Sequence, residues 1–308
     1  MSDPTQIAPR PTDERLQAIA REAARTAASL HQEHAGRLPA SAWSEKGTSD
    51  FVTEVDREAE RIIVGHILAA FPEHRIVAEE GSTNPGDRTA ASDVVWIIDP
   101  LDGTTNWLHG YPTHAVSIAA ADEHGLRVGV VLNSATGEEF VATRGGGAWR
   151  VAGPADDMAA IHVSDVAELR LALLGTGFPF KRAAMIPDYL RVLGRMLEKT
   201  SGVRRAGAAA LDLCDVACGR LDGFWEHWLM PWDVAAGALI LTEAGGTLTP
   251  LPGGTEPTLA DAVAGAGAIC DAFAGRTRLG ATGPGAFVAG NGRIDEPLRD
   301  LLTGILGG

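Results

Sequence analysis

Residues 96–106 read Trp96-Ile97-Ile98-Asp99-Pro100-Leu101-Asp102-Gly103-Thr104-Thr105-Asn106. Trp96, Ile97 and Ile98 form a short β-prone run, and Pro100, which has no N–H to donate, is expected to stop ladder pairing directly after Asp99. Asp99 and Asp102 stand three residues apart across a bend, close enough to share a divalent ion, and the Leu101 carbonyl between them can turn toward the same ion. Gly103 allows close backbone approach. A helical turn beginning at Thr104 would present free N–H groups and a positive dipole end to an oxyanion, while a threonine hydroxyl would orient a water. The plain alternative is a strand followed by an ordinary Asp-Gly turn, with both aspartates solvated or capping. The run as a whole favours the site.

The 308 residues are 45% hydrophobic and 21% charged, enough for a sizeable core in one large domain or two tightly packed halves. No run approaches the roughly 18 apolar residues of a membrane span, and Met1 to Pro11 has no apolar signal core, so the expectation is a cytoplasmic protein with no membrane contact. Cys214, Cys218 and Cys270 form no C-x-x-C pair and read as buried thiols. A net charge of −14 argues against binding a polyanion through the general surface, and no nucleic-acid partner is expected. An anionic substrate would need a local positive source, which bound metal ions would supply.

Residues 1–10 read as a flexible tail. Helical spacing of Leu16, Ile19, Ala20, Ala23, Ala27 and Leu30 predicts a helix from Thr12 to about His34, and a second should run from near Thr53 to Phe71, ended by Pro72. Strands are expected at Arg75–Ala78, Val94–Asp99, Ala115–Ala121, Arg127–Asn133, Glu139–Arg144 and Ile161–Val163. Two helices followed by strands joined through Gly and Asn turns suggest an antiparallel sheet packed on paired helices. Beyond this first subdomain, 11–165, a second at 166–308 would alternate strands at Leu171–Gly175, Val203–Arg205, Leu221–Glu226 and Ala286–Ala289 with helices at Asp188–Lys199, Ala208–Ala217, Asp233–Ala244 and Glu296–Ile305. Residues 251–286, rich in Gly, Ala, Thr and Pro with a weakly helical stretch at Thr258–Phe273, read as an inserted excursion.

Further acidic groups accompany the opening segment. Lys46-Gly47-Thr48-Ser49-Asp50 leads into Thr53 and Asp56, Glu79-Glu80 follows the first strand, and Asp233 opens a late helix. Singly these are as readily a capping pair, a solvated turn and an N-cap. Together they supply the oxygen-rich ligation that Mg²⁺ or Mn²⁺ prefers, and no Cys or His cluster suggests zinc. Magnitudes point the same way. Hydrolysis of a phosphate monoester needs accelerations up to about 10²¹, whereas a positioned general base supplies about 10²–10⁴. Two ions about 3.5–4 Å apart can activate a water and stabilise the leaving oxygen together. An aspartate nucleophile of the haloacid-dehalogenase type would require D-x-D-G-T; the spacing here is D-x-x-D-G-T, with no late acidic pair evident.

Glu79-Glu80, Asp99-Pro100-Leu101-Asp102-Gly103-Thr104-Thr105-Asn106 and Trp232-Asp233-Val234-Ala235-Ala236-Gly237, in that order, resemble the inositol monophosphatase family from about residue 12 onward. The resemblance implies an α/β fold of the α+β kind, an α-β-α-β-α layered sandwich of two mostly antiparallel sheets alternating with helix pairs. It implies a homodimer hydrolysing small phosphorylated polyols with two or three Mg²⁺ ions, replaceable by Mn²⁺, and often inhibited by Li⁺. By motif, Glu79, Asp99 and the Leu101 carbonyl would hold one ion and Asp99, Asp102 and Asp233 a second. Glu79 would contact a third ion and its water, and Thr104 with Asp56 would orient the nucleophilic water. Gly103 and Thr104 N–H groups would receive the phosphate, with Lys46 nearby, and Asp102, Gly207, Ala208, Ala209 and Glu226 would surround the alcohol.

This chain departs from the family on the alcohol side. Ala208 stands where Ser or Thr is common, and His227-Trp228-Leu229-Met230 replaces a stretch that often includes Gly and a basic residue. Trp228 reads as a packing residue more readily than a sugar platform, and Met230 offers no charge for a second phosphate, which disfavours a bisphosphate. Thr105-Asn106 points to the inositol or sugar phosphate branch; His109 and His114 read as structural or supporting. Inositol monophosphate is the expected substrate. The alternatives are fructose 1,6-bisphosphate or another sugar or nucleotide phosphate, or a regulatory protein-binding role on the same fold.

Overall fold

The computed structural model describes residues 11–36, 44–47, 50–84, 94–153, 156–180, 183–251 and 285–306. The expected tail at 1–10, Cys270 and almost all of the 251–286 excursion, with its helical stretch, lie outside them. Helix α1 (Asp13–His34) starts at a Thr12 cap and is followed by a hairpin, β1 (Ser44–Gly47) and β2 (Asp50–Val52), and by α2 (Glu54–Ala70). An eight-stranded sheet comprises β3 (Arg75–Ala78), β4 (Thr83–Asn84), β5 (Val95–Asp102), β6 (Ala115–Asp122), β7 (Gly125–Asn133), β8 (Glu139–Thr143), β9 (Gly147–Ala152) and β10 (Asp157–Ala160), in the order β10-β9-β8-β7-β6-β5-β3-β4. Only β3–β5 is a parallel pair.

The second sheet has the order β12-β11-β13-β15-β14, from β11 (Leu173–Thr176), β12 (Gly202–Arg204), β13 (Gly223–Leu229), β14 (Thr247–Pro250) and β15 (Gly285–Gly290). Its β11 pairs are parallel and its β15 pairs antiparallel, so this sheet is evenly mixed. The remaining helices are α3 (Thr104–Leu108), α4 (Ile186–Lys199), α5 (Ala209–Ala217), α6 (Pro231–Glu243) and α7 (Asp295–Leu306).

Three apolar clusters order these elements into layers. Leu16, Ala20, Ile63 and Ile67 of α1 and α2 pack on Trp96, Ile98, Val116 and Val128, the outer face of the large sheet. Ile97, Ala119, Val131 and Phe140 on the inner face meet α5 and α6, which on their far side meet Phe224, Phe287 and Ala289 of the small sheet. Tyr189, Val192 and Met196 of α4 and Leu298 and Leu302 of α7 cover the other face of that sheet. The order is α-β-α-β-α, as the resemblance implies. Strand alternation then assigns the site: Trp96 and Ile98 point to α1 and α2, whereas Ile97, and with it Asp99, point to the middle helix layer. Gly129 lets α6 press onto the sheet, since a Cβ there would lie 2.7 Å from the Ala236 carbonyl.

Four local expectations need correction. Pairing does not stop at Asp99: Asp99 faces Ser117 and Asp102 faces Ala115, so Pro100-Leu101 form a bulge with one extra residue inside β5, and the missing proline N–H falls where no ladder bond is required. Ile161–Val163 is not a strand; the sheet is extended by β9 and β10, which the Gly145-Gly146-Gly147 turn obscured. Ser44–Gly47, for which no strand is expected above, forms strand β1. Cys214 is buried, but Cys218 is only partly so. No helix of the described residues is long and apolar enough to cross a membrane.

Where α1 meets the large sheet, His31 is fully buried, its Nδ1 2.9 Å from Ser134 Oγ, and its carbonyl accepts the Trp107 indole N–H. Burial, with His114 nearby, holds the His31 pKa down at about 3. An unfolded imidazole protonates near 6.5, so stability is full above that pH and is lost as pH falls toward the folded value. His31→Gln should therefore lower Tm at pH 7 yet flatten its fall between pH 6 and 4, removing up to about 1.4 kcal/mol per pH unit of acid destabilisation; parallel Tm–pH curves for variant and wild type would contradict this.

Candidate active site

Three aspartates of the candidate site are each tied to a backbone N–H at a strand bulge or a helix start. The Asp99 carboxylate accepts the Leu101 N–H (2.9 Å) across the β5 bulge, and Asp102 accepts the Ala210 N–H (2.8 Å) at the start of α5. Asp233 accepts the Met230 N–H (2.6 Å) at the start of α6. Ser117, paired with Asp99 across the ladder, donates from Oγ to the Trp232 carbonyl (3.1 Å), which ties the start of α6 to the strand carrying the aspartate's partner. The bulge, α5 and α6 thus bring Asp99, Asp102 and Asp233 to one cavity of about 430 Å³, with Glu79 from the end of β3.

Asp56 does two jobs. Its Oδ2 closes the α2 capping box, accepting the Thr53 N–H (2.9 Å) and hydroxyl (2.5 Å). Its Oδ1 accepts the Thr104 hydroxyl (3.2 Å), which also lies 3.1 Å from the Leu101 carbonyl. The capping reading is therefore realised, and the same carboxylate also contacts Thr104. Asp56 is buried, and burial raises its pKa despite the bonds from Thr53.

Crowding dominates the electrostatics. Burial, then Glu79, Asp102 and Asp233, push Asp99 well above the usual carboxylate range. Burial lifts Asp102 to about 7 against the lowering bond from Ala210. Among the described residues, no group of three or more His, Cys, Asp or Glu side chains is already closed around a single metal position. The donor set still suits a hard divalent cation: four carboxylates and the Leu101 carbonyl border one cavity, and each aspartate is oriented by a backbone N–H.

Gly103 adopts φ +88 directly before α3, and a Cβ there would stand 2.9 Å from the Thr113 carbonyl and 3.2 Å from that of Gly207. Lys46 lies in β1, but its side chain is outside the described residues. Gly207, Ala209 and Glu226 line the cavity; Ala208 is buried as the N-cap of α5 and has no hydroxyl with which to cap that helix, as a Ser or Thr would. Asn106, read as a clue to the substrate, is spent on structure, its amide donating to the Thr113 (2.7 Å) and Ala206 (2.9 Å) carbonyls. Trp228 lines the cavity at a β13 bulge with φ +74, a strained conformation for so bulky a residue, and it is more exposed than a packing tryptophan. His227 also lines the cavity, with its pKa lowered by burial. His114 is buried away from the cavity lining.

Three features are not evident from sequence reasoning. Glu60, one helical turn after Asp56 on the same face of α2, is buried and accepts the N–H groups of Glu80 (2.7 Å) and Ser82 (2.8 Å), fixing the turn that carries Glu79. That i, i+4 spacing is the one signal that could have found it. Asp212 is buried with neither carboxyl oxygen hydrogen-bonded, and burial and its acidic neighbours raise its pKa well above the usual carboxylate range. Arg205, expected only as the end of a strand, lines the cavity beside Phe178 and Phe180.

Comparisons with known proteins agree with this architecture. The model of the inositol monophosphatase family matches residues 12–279. The protein called Nus factor SuhB in Pseudomonas aeruginosa is 46% identical over 240 residues, 77% of this chain and 86% of the relative, and its Escherichia coli K12 counterpart is 41% identical over 77% and 85%. The Bartonella henselae extragenic suppressor protein suhB superposes with a TM-score of 0.76 at 35% identity, covering 94% of this chain and 98% of that one. An inositol monophosphatase from Anabaena gives 0.72 at 33%, covering 94% and 96%. With the layered fold and the three motifs in place, the chain belongs to the inositol monophosphatase family.

Proposed function

We propose that this protein is a Mg²⁺-dependent phosphatase that hydrolyses small phosphorylated polyols, inositol monophosphate first among them, as a cytoplasmic homodimer. The observation that carries the reading is the convergence of Glu79, Asp99, Asp102 and Asp233 on the cavity that Thr104 and Asp56 also serve. Glu79, Asp99, the Leu101 carbonyl, Asp102 and Asp233 would hold two or three Mg²⁺ ions, or Mn²⁺ in their place. Bound there, the ions supply charge neutralisation of the phosphate and a lowered pKa for the attacking water.

The chain's own groups account for the rest. Gly103 and Thr104 N–H groups, at the start of α3, receive phosphate oxygens, with Lys46 of β1 as a further positive group. The Thr104 oxygen accepts a hydrogen bond from the water and passes its own proton toward Asp56 Oδ1, whose raised pKa suits it to hold that proton. The water oxygen forms a new bond to phosphorus as the ester P–O bond breaks, and the leaving oxygen takes a proton from solvent while the proton held at Asp56 returns to solvent, giving inorganic phosphate and the alcohol. Glu226 and the Gly207-Ala208-Ala209 turn border the alcohol.

The names of the SuhB relatives favour a second, transcription-related binding role alongside catalysis. Absence of any phosphate release would leave binding as the principal function.

With Mg²⁺, the wild-type protein should release phosphate from inositol 1-phosphate, and Asp99→Asn should lower kcat/KM by about 10²–10³-fold, the scale of losing one charge-stabilising group. Equal activity with and without chelator would refute the metal dependence. Glu60→Gln would set an amide NH₂ against one of the two N–H groups it now accepts, freeing the Glu79 turn. Calorimetry should find Mg²⁺ bound about 10–100-fold more weakly, with Tm in chelator changed little by comparison; unchanged affinity would show that Glu60 does not position Glu79.

A further inference from the structure

Beyond the metal-facing carboxylates, the wall of the cavity has a different character. Five carboxylates line the cavity, those of Glu79, Asp99, Asp102, Glu226 and Asp233, and among the described lining residues Arg205 is the one arginine or lysine. Its guanidinium lies 5.4 Å from the Phe178 ring centroid and 5.0 Å from that of Phe180, and those two rings meet edge to face at 5.6 Å. Aromatic faces can hold a guanidinium plane without consuming its N–H donors.

Those donors are unspent. Arg205 makes no hydrogen bond or ion pair among the described residues, and its Nε is buried without a partner. The enclosed Nε is out of a ligand's reach, so the donors open to one are those of the terminal Nη groups, which make no hydrogen bond to a described residue. Room for the guanidinium comes from Gly207, where a Cβ would collide with it; the Gly207 carbonyl in turn lies beside Gly103. The cation therefore sits one short turn from the proposed phosphate-receiving backbone, on the side where the alcohol would lie. Because the guanidinium occupies the Phe178 and Phe180 faces, an anionic group fits this wall better than an aromatic ring.

We infer that Arg205 is a specificity-determining residue that receives a second anionic group, a phosphate or carboxylate, on the alcohol portion of those phosphorylated polyols that carry one, in addition to the inositol monophosphate of the proposed function. The inference rests on the phosphatase reading and reverses the expectation that Met230 disfavours bisphosphates: Met230 orients Asp233 through its N–H, and the positive charge comes from Arg205 instead.

The test uses a matched pair, fructose 1-phosphate and fructose 1,6-bisphosphate, which differ by one phosphate on the same alcohol. With Mg²⁺, release of the shared 1-phosphate should have a kcat/KM about 10–100-fold higher for the bisphosphate, the range carried by hydrogen bonds to a charged group. The advantage should reside mainly in KM. Arg205→Gln should bring the ratio near one, and Arg205→Lys, which keeps the charge without the fork, should give an intermediate ratio. A wild-type ratio near one, or an equal proportional loss on both substrates in Arg205→Gln, would overturn the inference while leaving the phosphatase reading intact. Failure of the wild type to hydrolyse either compound, or inositol 1-phosphate, would overturn both.

Discussion

Five carboxylates share one cavity, and one of them, Asp99, is buried while Asp102 is partly so. Burial and mutual repulsion drive Asp99 and Asp102 away from their ordinary ionisation, and no arginine or lysine of the described residues forms an ion pair with either. Such a cluster costs stability unless protons or cations neutralise it. The fold tolerates the strain because the aspartates are fixed by backbone N–H groups at the β5 bulge, the start of α5 and the start of α6. Each of these boundaries is in turn set by packing: the inner face of the large sheet determines where Asp99 points, and contact with that sheet determines where α6 begins.

Helix α2 links the two sides of the site. Asp56 and Glu60, one turn apart, reach Thr104 and the Glu79 turn respectively, so one helix face anchors both the Thr104 hydroxyl and the turn that carries Glu79. The alcohol side is assembled from less regular structure: the turn before α5, the bulge at Trp228, and the aromatic pair that holds Arg205. Carboxylates fixed at element boundaries, joined to a cavity wall built on turns, would let that wall vary without disturbing the carboxylates.

The layered fold and most acidic residues were legible because their signals are local. Helical periodicity in α1, the strand leading into Asp99, and the Asp-Gly-Thr-Thr turn each lie within about two dozen residues of chain. What escaped depended on contacts between distant segments. Pro100 reads as a strand terminator, and only the β6 register shows that it sits in a bulge. Asn106 is polar and follows the motif, but its carbonyl partners lie in part 100 residues away. Arg205 meets Phe178 and Phe180 only after β11 and β12 have paired, and the parallel pairing of those strands leaves no mark in their composition.

Mutually repelling carboxylates gathered at one cavity should make this fold depend on divalent cations. Asp99 and Asp102 have folded pKa values raised above the unfolded value, so without cations their contribution to stability is present at low pH and is lost as pH rises through about 7 for Asp102. Differential scanning calorimetry of the wild-type protein with Mg²⁺ and with chelator, at pH 5.5 and pH 8, tests this directly. Mg²⁺ should raise Tm at both, and by several degrees more at pH 8. A Tm indifferent to Mg²⁺, or a gain that does not grow with pH, would contradict it.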